Sequence, residues 1–111
     1  MNDIVVDLDT NVFAPTIDSI VVDLIKMIET RWPESATCAT QECDGEIIFW
    51  SAPVDEVVIA RKNANLEQGL IPLIGLGQQV HANYYEIQEQ AYVATDWKVA
   101  VVTKEQLTEW D

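Results

Sequence analysis

Asp7 and Asp9 stand two apart at the end of an apolar run that begins at Ile4. Two carboxylates at a strand end, near a magnesium ion, are residue types that metal-assisted chemistry can use. With Asn11 and Asp18 they also fall on positions 1, 3, 5 and 12 of a calcium loop. The turn position that needs glycine is Val12, and Pro15 interrupts the loop. Gly75-Leu76-Gly77 is half of a dinucleotide fingerprint, but Val80 stands at the third glycine and no βαβ pattern surrounds it. His81 is the only histidine, and no serine or cysteine is spaced to make a triad with it. Cys38, Cys43 and His81 offer three soft or borderline ligands, but their spacing matches no zinc pattern. A polar strand-to-helix connection, a flexible loop and a surface histidine account for these residues more simply.

The Asp7-Asp9 segment is similar to the first motif of the haloacid dehalogenase-like phosphotransferases. The glycine-threonine pair expected after the second aspartate is replaced by Thr10-Asn11. No later lysine or paired-aspartate motif follows, and the chain is short for that parallel-sheet fold. A small metal-dependent hydrolase using Asp7 and Asp9 is therefore the alternative reading. The expectation is that neither residue is catalytic, and no cofactor or metal is assigned.

The elements that would hold these residues follow from periodicity. Ile4, Val6 and Leu8 alternate with Val5, Asp7 and Asp9, as in a half-buried strand. From Ile17 to Trp32 apolar residues recur at helical spacing opposite Asp18, Asp23, Lys26 and Glu29. This predicts one long amphipathic helix, Thr16–Trp32, capped by Thr16 and stopped by Pro33. Ala36–Gln41 and Glu46–Trp50 read as two strands joined by an Asp44-Gly45 turn. Val57, Val58 and Ile59 are β-branched, so Val54–Arg61 is read as a strand. Asn63–Gly77, with three glycines and Pro72, reads as a loop. Val80, Tyr84, Ile87 and Ala91 suggest a second helix, and Trp97, Val99 and Val101 a last strand. Thr103 with Gln106 makes a capping box for a terminal helix. The expected fold is α+β: one domain, residues 1–111, with the long helix packed on a face of a small antiparallel sheet. Most of the tryptophans should be core, with Trp110 the exposed one.

The composition restricts the partner. There are 19 acidic and 6 basic residues, a net charge of −13, on a chain that is 49% hydrophobic. That apolar content separates it from a disordered acidic tail. Its negative field opposes nucleic acid and anionic membranes and favours a cationic partner. The N-terminal sequence has no basic segment followed by an apolar run, and no apolar stretch nears the roughly 18 residues of a membrane span. The expectation is a cytoplasmic protein with two reduced cysteines.

Two segments resemble small uncharacterised acidic proteins of tailed bacteriophages and prophages. The first is Trp32, Pro33, Glu34, Ser35 and Ala36, leading to Gln41, Asp44, Gly45, Glu46, Ile47 and Phe49. The second is Asp96, Trp97, Ala100, Val101, Val102, Thr103, Lys104, Glu105 and Gln106. The chain departs from that pattern between Asn63 and Gln78. The resemblance implies a phage or mobile-element accessory protein acting in the host cytoplasm.

The expected function is a non-enzymatic acidic module that binds a basic host protein, with DNA mimicry as its sharper form. Carboxylates would then stand in for phosphates. The expected partner-binding residues are Glu42, Asp44 and Glu46 around the hairpin turn, extended by Asp55 and Glu56. Glu42, Asp44 and Glu46 should be solvated, so reversing their charges should slow association more than it speeds dissociation and leave the fold intact.

Overall fold

The Asp44-Gly45 turn sets the register of the sheet. Asp44 Oδ1 accepts a hydrogen bond from the Glu46 amide at 3.0 Å. Gly45 takes φ +101°, which suits glycine. The turn joins β1 (Cys38–Gln41) to β2 (Glu46–Trp50), pairing Gln41 with Ile47 and Cys38 with Trp50. A computed structural model describes residues 13–110. The expected strand from Ile4, with Asp7 and Asp9, and the Trp110 side chain lie outside what it describes.

Around this hairpin lie α1 (Val21–Ile28), α2 (Val54–Asn63), α3 (Ile71–Ile74), β3 (Gln79–Tyr84), β4 (Glu86–Ile87), β5 (Gln90–Ala91) and β6 (Val102–Thr103). Leu76–Gln78 and Lys104–Trp110 are 3₁₀ turns. The main sheet is antiparallel in the order β3-β2-β1-β6, and β4 and β5 form a separate hairpin. The fold is α+β, as expected. Successive strand side chains point to opposite faces, and both faces are covered. Ala39, Ile47 and Phe49 pack with Val21, Leu24 and Ile25 of α1 and with Val93, Trp97 and Leu107. Cys38, Ile48 and Trp50 pack with Val57 and Ala60 of α2 and with Leu70. Double coverage explains why Ile47–Trp50 is an unbroken apolar run rather than an alternation.

The predicted long helix shrinks to the eight residues of α1. Its expected first turns pair instead with a distant segment: Ile17 N donates to Val93 O, Val93 N to Pro15 O, and Thr95 N to Ser19 O. Thr16 does not cap; it lies in a parallel bridge to Val93. Asp96 Oδ1 accepts from the Val21 amide at 2.9 Å and caps α1 from across the chain. At Glu29 the backbone is extended, and its side chain turns to His81 and Asn83.

Val54–Asn63 is a helix, not a strand. Pro53 precedes it, Asp55 and Glu56 lie in its first turn, and Arg61 and Lys62 in its last. That charge order suits the helix dipole and outweighs the β-branched run. Ile71–Ile74 interrupts the predicted loop with one helical turn. The predicted second helix is β3 followed by the β4-β5 hairpin, whose turn residues Gln88 and Glu89 have φ +52° and +72°. Both at positive φ fit the turn geometry that tight hairpins favour. The last strand is Val102–Thr103, because residues 96–100 turn through amide bonds to Asp96 O. Thr103 N donates to Gln106 Oε1 at 2.9 Å, as the capping box implies. Trp50 and Trp97 are buried and Trp32 is half-buried. Among the described residues no helix is long and apolar enough to cross a membrane.

Candidate functional site

The five predicted binding residues fall into three environments. Asp44 is exposed at the hairpin tip. Glu46 is half-buried and pairs across the strands with Tyr84. The Tyr84 hydroxyl donates to Asp44 Oδ2 at 3.5 Å. Burial and the nearby charges of Asp44, Glu46 and Glu86 push the Tyr84 phenol up to about 12. Burial, with Asp44 and Glu42 adding to it, also pushes the Glu46 carboxyl up. The tip is thus an acidic patch of Asp44, Glu46 and Glu86 around one tyrosine. In the sequence Tyr84 counts only toward the expected helix, and Glu86 carries no signal.

Glu42 does not belong to this solvated patch. It is 8% exposed. Its Oε2 accepts from the Leu70 amide at 3.1 Å. The carboxylate lies over Gly69, where a Cβ would come within 2.6 Å of Oε1. Burial raises its pKa, the Leu70 amide and the Arg61 guanidinium oppose that shift, and Asp44 adds to it. Arg61 is buried as well: Nη1 donates to Gln41 O at 2.9 Å, and the guanidinium lies 5.9 Å from the centre of the Trp97 ring. Glu42 Oε1 and Arg61 Nε and Nη2 have no hydrogen-bond partner. The expectation that charge reversal at Glu42 spares the fold is therefore corrected, because a lysine there would bury a second cation beside Arg61.

Asp55 and Glu56 are exposed, but they do not extend the tip. β2 runs away from the turn, and about 13 Å of strand separates Glu46 from Trp50 before α2 begins. Glu56 instead borders a groove of about 330 Å³, lined also by Ile59, Ala60, Asn63 and Leu73. The helical spacing of Glu56, Ile59, Ala60 and Asn63 was readable, but only once the segment is taken as a helix.

The remaining candidates are dispersed. His81 Nε2 lies 2.7 Å from Glu29 Oε2, which also accepts from Asn83 Nδ2 at 3.0 Å. Cys38 and Cys43 are free, buried thiols, and burial raises both pKa values. Gly75 precedes a 3₁₀ turn at φ +107°, and Gly77 lies within it. Among the described residues no group of three or more His, Cys, Asp or Glu side chains is placed to hold a metal ion. Compared with protein-family models, with curated proteins and with solved structures, the chain has no match in any of the three.

Proposed function

We propose that this chain is a non-enzymatic acidic protein-binding module that meets a basic partner. The observation that supports this reading is the hairpin tip. Asp44, Glu46 and Glu86 gather there around Tyr84, on a turn fixed by its own side-chain hydrogen bond. Charge held on a rigid element raises local partner concentration and steers encounter. The net charge of −13 extends that field over the molecule. The two segments resembling acidic phage proteins support a phage accessory protein acting on a host protein. DNA mimicry is the narrower form of the same reading, with carboxylates in the place of phosphates in a basic groove.

The test is to retain partners from a bacterial lysate on the immobilised chain, identify them by mass spectrometry, and measure association rates. The expected rate falls steeply between about 0.1 and 1 M salt, where the screening length drops from about 10 Å to about 3 Å. Asp44→Asn combined with Glu86→Lys should slow association more than it speeds dissociation, with Glu42 left intact. A rate indifferent to salt and to both substitutions overturns the reading. Failure to displace duplex DNA from the partner in a gel shift removes the mimic form alone.

A further inference from the structure

α2 carries more apolar surface than the fold uses. A helix lying on a sheet usually has one apolar stripe. Here Val57, Ala60 and Arg61 face inward and are buried. A second stripe, Glu56, Ile59, Ala60 and Asn63, follows the i, i+3, i+4, i+7 spacing and lines the groove with Leu73 of α3. Ile59 is 59% exposed, Leu73 55%, and Leu76 just beyond α3 66%. Single exposed aliphatics are ordinary, but two of these three face each other across one groove.

The charge around the groove selects what covers it. Its lining holds one acid, Glu56, and no base. Asp55 adds a second exposed carboxylate at that end of the groove, while the exposed Lys62 beside Asn63 puts one base at the other end. A second copy of this chain would bring the same acids and another −13 of charge, and like charges brought together oppose association. A segment with aliphatic anchors on one side and lysine or arginine on the other satisfies both the groove and its rim. Recognition of an amphipathic helix in an apolar groove follows this pattern. We propose that the α2–α3 groove docks an amphipathic, Lys/Arg-bearing helix of the partner, with an aliphatic side chain between Ile59 and Leu73 and a base against Glu56. This rests on the acidic-module reading and names the surface and partner chemistry for it.

The experiment uses the full chain and three fluorescein-labelled peptides of about 14 residues, four helical turns. One is a leucine/lysine amphipathic helix, one a scramble of the same composition, and one carries glutamate for lysine. Fluorescence anisotropy should show the amphipathic peptide binding at least about ten-fold tighter than either control, the equivalent of about 1.4 kcal/mol. Ile59→Ser and Leu73→Ser should each weaken it about ten-fold with an unchanged Tm, because both side chains are exposed. Glu56→Lys should weaken it and flatten its salt dependence. Asp44→Asn with Glu86→Lys should leave it within about two-fold, and amide shifts on titration should centre on Ile59, Asn63 and Leu73. Equal binding of the scramble, or indifference to Ile59→Ser and Leu73→Ser, overturns the groove while leaving the acidic-module reading to its own salt series. Binding of the glutamate peptide overturns the basic partner. Dimerisation of the chain that Ile59→Ser abolishes assigns the groove to a second copy and overturns the proposal, as does no binding of any peptide.

Discussion

The two faces of the sheet are covered by helices of different construction. α1 presents Val21, Leu24 and Ile25 to an apolar core, and its polar residues point away. α2 brings a guanidinium inside, beside a buried carboxylate from the hairpin, and leaves an isoleucine outside. One face is held mainly by packing, with the Asp96 carboxylate capping α1 at the Val21 amide. The other combines packing with polar contacts between residues far apart in sequence, Glu42 to Leu70 and Arg61 to Gln41. Only the first kind of face has a local periodic signal.

The sharpest test of the packed face is Leu24→Ala, which should cost about 2–5 kcal/mol, because the side chain is fully buried. Chemical denaturation with an unmoved midpoint would break the comparison at its stronger side. On the polar face, Gly69→Ala should cost about 1–3 kcal/mol. The residue has φ +77°, and the new methyl would press on the Glu42 carboxylate. If the loss comes from that contact as well as from the backbone, Glu42→Ala should recover part of it in the double mutant.

Acidity gives the next effect in size. Burial holds the Glu42 and Glu46 carboxyls above the usual glutamate range. The folded chain thus binds these protons more tightly than the unfolded chain. The linked stability is complete below the ordinary glutamate value of about 4.3 and is lost as pH rises through the raised values. Thermal melts should show Tm falling as pH rises from the ordinary glutamate value of about 4.3, the reverse of ordinary acid destabilisation. Glu42→Gln keeps an oxygen for the Leu70 amide and should flatten that slope. The smallest effect belongs to the outer stripe of α2. Ile59→Ala should change stability by no more than about 0.5 kcal/mol, and a larger loss in denaturant melts would place Ile59 in the core after all.

The same contrast explains what was legible. The hairpin was readable because Asp44-Gly45 is a local turn with flanking apolar strands. The apolar face of α1 was readable, but its length was not: residues 15–19 are taken by pairing with residues 93–95, a competition no local window contains. α2 reads as a strand because Val57, Val58 and Ile59 are β-branched, while the acid-to-base order along it carried the helical signal. The β4-β5 turn uses Gln88 and Glu89 where asparagine or glycine would have announced it. Within the candidate site, Asp44 and Glu46 were legible as tip residues. The burial of Glu42 was not, because it depends on Gly69, Leu70 and Arg61 arriving from elsewhere.

Gln41 has a wider effect than its place in one strand suggests. Its Nε2 donates to Gly45 O and Tyr92 O, and its Oε1 accepts from the Ala94 amide. Its backbone carbonyl receives Arg61. One buried residue therefore ties the hairpin turn and the 92–94 segment, through its side-chain amide, and α2, through its backbone carbonyl, to a common centre. Such a centre makes opening collective, since no member can leave without exposing unpaired polar groups of the others. In hydrogen exchange the amides of Gly45, Ala94 and Ala64 should then share one protection free energy. The acidic tip would be presented by a single folding unit and not by an independently fraying hairpin.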